Sequence, residues 1–102
     1  MDMQAVIQKL ENEWEKPTGF LGGLREGVFD PEGLNRLVDI LQSVDLEGIA
    51  QLDRRFVALT WYIPLFMIWQ RDRVREQGGS VQDLDKAING LLTLLHGVLG
   101  VP

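Results

Sequence analysis

A chain of 102 residues with 45% hydrophobic and 25% charged residues, no low-complexity tract and no internal repeat reads as one ordered globular domain, residues 1–102, which excludes disorder. A formal net charge of −5 argues against general nucleic-acid binding, because phosphate neutralisation needs clustered positive charge. The absence of cysteine excludes disulfides, a thiol nucleophile and sulfur-rich zinc sites.

The start, Met1-Asp2-Met3-Gln4, lacks the basic then apolar order of a secretory signal, so a cytoplasmic location is expected. Met3, Val6, Ile7, Leu10 and Trp14 recur at three- and four-residue steps and predict a first helix from about Asp2 to Glu15. Pro17 ends it, since the residue before a proline is biased away from helical angles. Glu11 and Glu15 lie one turn apart, but without inward-facing Glu-x-x-His partners they do not build a di-metal site and read as solvated acids near Lys9 and Lys16.

Residues 18–29 contain Gly19, Gly22, Gly23 and Gly27, and also Phe20, Leu21, Leu24, Val28 and Phe29. That segment is too apolar for a solvated linker and is expected to fold back onto the core as a covered loop with one short helical turn at most. A partner-binding loop is the sharper alternative, because long loops in compact domains are often functional. The glycines lack the strand–helix context of a dinucleotide fingerprint and the Gly-Lys-Ser/Thr ending of a phosphate loop.

Asp30-Pro31-Glu32 is a helix start: the carboxylate caps free amides, proline suits the first turn, and glutamate favours the positive helix end. Leu34, Leu37, Val38 and Leu41 then predict a second helix over Pro31 to Ser43. Asp45 is expected to open a third helix, with Ile49, Leu52, Phe56, Leu59, Ile63 and Phe66 along one face. From Phe56 to Trp69 the opposite face is apolar as well, so this helix is expected to lie between others, kinked where Pro64 removes a donor and crowds the Thr60 carbonyl.

That central run of fourteen residues is shorter than the ~20 of a membrane span and is bounded by Arg54-Arg55 and Gln70-Arg71, so no membrane span is expected. In Arg71-Asp72-Arg73-Val74-Arg75-Glu76, helical spacing sets Asp72 beside Arg75 and Arg73 beside Glu76, which favours a paired, solvated face over an anion site. Ser80 is expected to cap a last helix carrying Val81, Leu84, Ile88, Leu91, Leu95 and Leu99. Asp83 and Asp85 do not begin a calcium loop, because Ile88 stands where a glycine turn is needed. His96, the single histidine, is the one candidate general base, and its place near a helix C-terminus favours a structural role.

The expected fold is all-α: a small bundle of about four helices with a kinked, largely buried third helix and a Gly-rich apolar loop between helices one and two. The expected function is that of a small, acidic, non-enzymatic protein-binding module, an adaptor, inhibitor or immunity-type protein acting on a protein partner. A structural homo-oligomer, such as a homodimer, is the alternative, with peripheral membrane association a further one. Neither a cofactor nor a nucleic-acid partner is expected. The candidate partner-binding residues are Phe20, Leu21, Leu24, Arg25 and Phe29 on the loop, and Trp69, Arg71 and Arg73 after Pro64.

Overall fold

The computed structural model describes residues 2–102, and all regular structure among them is helical. In chain order the helices are α1 (Met3–Trp14), α2 (Phe20–Leu24), α3 (Pro31–Gln42), α4 (Arg54–Trp61), α5 (Ile63–Trp69), α6 (Arg71–Glu76) and α7 (Val81–Leu99). The all-α bundle is as expected from the sequence, with the apolar spacing divided among more and shorter helices.

Local chemistry sets the ends. Asp2, Asp30, Asp53 and Ser80 each stand before a helix in an extended conformation and accept from amides of its first turn. The predicted limits of the first, second and last helices agree with the structure to within a residue or two.

The expected start of the third helix at Asp45 is corrected: residues 43–53 are not helical, and α4 begins after Asp53. Asp45 accepts only from the Glu47 amide, whereas Asp53 accepts from both Arg55 and Phe56. Gly48 then sits at φ +78, a left-handed conformation that a continuing right-handed helix does not contain.

Phe20, Leu21 and Leu24 are fully enclosed in the core with Leu10, Leu37, Leu41, Phe56, Ile63, Met67, Leu84 and Leu91. α1 packs on α2, α3 and α4, while α7 packs on α3, α5 and α6. Gly22 allows the closest approach: a Cβ there would stand 1.8 Å from the Glu15 carbonyl oxygen, so only glycine lets α2 lie against the end of α1.

A buried carboxylate fastens this corner. Glu13 accepts from the Phe20 amide at 2.9 Å and from Arg36 Nε at 3.1 Å and Nη2 at 3.2 Å, while Arg36 Nη2 also donates to the Thr18 carbonyl at 3.1 Å. The hydrogen bond to Glu13 raises the Arg36 pKa above its ordinary value. Lys16 pairs with Glu26 at 2.8 Å across the same loop, rather than with the acids of α1. The hydrogen bond and charge of Lys16 hold the Glu26 carboxyl below its ordinary range. This exposed link therefore contributes above the ordinary carboxylate pKa and fades as pH falls through the lowered one.

At Pro64 the helix divides. Tyr62 separates α4 from α5 at φ −79 and ψ −16, and Pro64 takes a first-turn position of α5, where its missing N–H needs no partner. Thr60 turns its hydroxyl back onto the Phe56 and Val57 carbonyls at 2.9 and 3.2 Å. Pro64→Ala is expected to keep the fold and lose about 1–2 kcal/mol, from a freer unfolded chain and a smaller buried side chain. Urea melts followed by circular dichroism check this; an unfolded variant would show that the ring itself holds the junction.

Candidate protein-binding face

The molecule measures 43 × 27 × 19 Å, and its short axis accommodates two layers of helices at the usual 8–10 Å spacing. A helix in a two-layer structure keeps one side against solvent. For this reason the expectation that the Phe56–Trp69 run lies between other helices is corrected: its inner side is core, and its outer side is open.

The inner side consists of Phe56, Leu59, Thr60, Ile63, Phe66 and Met67, all buried. On the outer side Trp61 is 55% exposed, Leu65 36%, Ile68 46% and Trp69 60%. Whole Trp side chains carry 150–250 Å², so the four together offer roughly 350–450 Å² of apolar surface, comparable with the largest patches found on monomeric proteins and often functional.

The two tryptophans rest on a fixed aromatic base. Tyr62 stacks on Trp14 with ring centroids 5.9 Å apart and an interplanar angle of 16°, and Phe66 meets Trp14 edge-on at 5.0 Å. Trp69 stands edge-on to Tyr62 at 5.9 Å, and Trp61 is tilted against it at 5.4 Å. Trp14 Nε1 donates to the Leu59 carbonyl at 3.1 Å, fixing the lowest ring of the set. The Arg25 guanidinium covers the other edge, 5.8 Å from the Trp14 ring centre and 5.3 Å from that of Phe66. Rings held this way lose little freedom when a partner covers them.

The predicted site residues divide sharply. Phe20, Leu21 and Leu24 cannot touch a partner, because the loop that carries them is folded into the core as α2. Phe29 is half-buried, edge-on to Phe20 at 5.8 Å, and borders a groove of about 550 Å³ between α3 and α7 beside Leu34, Val38, Gly90 and Leu94. Arg25 and Arg73 are joined, the Arg73 guanidinium donating to the Arg25 carbonyl. Arg73 does not make the expected pair with Glu76, while Asp72 and Arg75 do pair, at 3.0 Å.

Arg71 belongs to the scaffold. Its Nη2 donates to Asp85 Oδ2 at 3.1 Å, and its Nε lies 2.9 Å from Oδ1 but off the line of a hydrogen bond, tying α6 to α7. The Arg55 guanidinium likewise meets Glu11 at 3.3 Å, while the Arg55 backbone amide donates to Asp53. His96 is exposed on the last turn of α7.

Of the eight predicted residues, Trp69 alone is a broadly exposed apolar side chain on the outer face. Trp61, Leu65 and Ile68 were not singled out, although the apolar residues on both sides of the run were the signal for them. A second groove, of about 530 Å³, adjoins this face through Tyr62 and carries charges of both signs, with Glu11 and Glu15 facing Arg25 and Arg55. No helix among the described residues is long and apolar enough to cross a membrane. Comparison with known proteins finds no matching family, curated protein or solved structure, so the functional reading stands on the geometry of this face.

Proposed function

We propose that this chain is a small, non-enzymatic protein-binding module whose binding face is the outer side of α4 and α5. The observation that carries the reading is that Trp61, Leu65, Ile68 and Trp69 stand together, exposed, on a packed aromatic base. Interfaces concentrate tryptophan and other large apolar anchors at their centre, in fixed settings, with polar groups at the rim. Arg54 and Asp72, both exposed, bound this face along the chain.

Site-specific photo-crosslinking in the native cell tests the proposal. A photoreactive side chain at position 65 or 68 is expected to give covalent adducts with another polypeptide, while the same group at Asn89, exposed on α7, gives none. Absence of adducts at 65 and 68, or equal yields at 89, would remove this face as the binding surface.

A further inference from the structure

The order of residues along the face points to its occupant. Arg54, Ala58, Trp61, Leu65, Ile68 and Asp72 are exposed and succeed one another at alternating four- and three-residue steps, the spacing of a helix-pairing seam. The seam crosses two helix junctions, at Tyr62 (φ −79, ψ −16) and Gln70 (φ −92, ψ 0), both with right-handed backbone angles. The buried residues opposite, from Phe56 through Ile63 to Val74, follow the same winding.

Along this seam the charge is positive at one end and negative at the other, and the middle is apolar. Resting on the binding-face reading above, we infer that the occupant is a second copy of this chain, lying antiparallel across a two-fold axis near Ile63. In that register Arg54 of each copy meets Asp72 of the other, small Ala58 meets Ile68, and Trp61 meets Leu65. The interface is then self-complementary, as a two-fold contact requires. A parallel pairing would instead set Arg54 against Arg54 and Asp72 against Asp72, which like-charge repulsion opposes.

Asp72 is open to such a partner: its side chain is 84% exposed, and it is held within its own helix only through Oδ1, by Arg75. Of the neighbouring arginines, Arg55 and Arg71 already meet Glu11 and Asp85, Arg73 turns to the Arg25 carbonyl, and Arg75 shares Asp72, leaving Oδ2 for the partner's guanidinium. The apolar area falls short of the ~800 Å² per partner of a standard interface, so the dimer is weak and forms only at high concentration.

Sedimentation equilibrium of the full chain, from about 1 μM to about 1 mM, tests the inference. The wild type is expected to shift from monomer to dimer across that range. Arg54→Glu and Asp72→Lys are each expected to weaken association by about tenfold or more, and the double variant to recover to within about threefold of wild type. Both positions are exposed, and unchanged far-ultraviolet circular dichroism confirms that the variants fold.

A chain that stays monomeric to the highest concentration, or a dimer indifferent to both single changes, overturns the inference. So does a monomer that floats with phosphatidylglycerol vesicles through Trp61 and Trp69, since the occupant is then a bilayer surface. If the chain is monomeric but positions 65 and 68 crosslink to other polypeptides, the second copy is excluded and the binding face stands. Monomer without adducts removes both.

Discussion

Leu59→Asp is expected to unfold the chain at ambient temperature, without added denaturant. Leu59 is buried on the inner side of α4, and its carbonyl receives the Trp14 indole. Truncation of such a leucine to alanine costs about 2–5 kcal/mol, and a carboxylate in the same place adds the desolvation of a charge. A domain of this size has about 5–15 kcal/mol of stability in total, so the combined loss consumes most or all of it. The informative control is Ile68→Asp, the same new side chain one helix further on but on the outer face. It is expected to cost less than about 1 kcal/mol. Urea melts of the two variants decide the matter, and equal losses would contradict the division of this run into an inner and an outer side.

Glu13→Ala is the second large effect, at about 2–4 kcal/mol. The alanine leaves the buried Phe20 amide without its acceptor and releases both Arg36 bonds at once, detaching α2 from α1 and α3. Arg36 lies partly in solvent and rehydrates, which keeps the cost below that of breaking a fully enclosed pair. Glu13→Gln retains an acceptor for the amide and loses only the charge, so it is expected to fall between alanine and wild type. Denaturant midpoints that place Glu13→Ala within about 0.5 kcal/mol of wild type would show that this carboxylate does not hold the corner.

The sequence was most legible where short-range chemistry decides. Asp2, Asp30 and Ser80 mark helix starts through a single side chain, and the apolar stripes of α1, α3 and α7 identify their inner faces. It was less legible where distant segments compete for the same space. Asp45 and Asp53 are both suitable caps, and the pattern of Ile49 and Leu52 fits either start; the two amides bound by Asp53 and the turn at Gly48 mark the later one.

The site shows the same limit. Phe20, Leu21 and Trp69 look equivalent as apolar residues beside flexible or interrupted segments, yet the first two fill the core and the third stands open. What separates them is the close approach at Gly22 and the number of helical layers, and neither is written in local spacing. Glu13 was hidden for a similar reason, because its partners Phe20 and Arg36 lie 7 and 23 residues away.

The most direct test of the account is hydroxyl-radical footprinting of the purified chain as its concentration rises. Trp61, Leu65, Ile68 and Trp69 are expected to be oxidised readily in dilute solution and to become protected together, while Trp14, half-buried beneath Tyr62, keeps its reactivity. Unchanged oxidation of the four at every concentration, or equal protection of Trp14, would contradict the claim that a second copy of the chain covers this face.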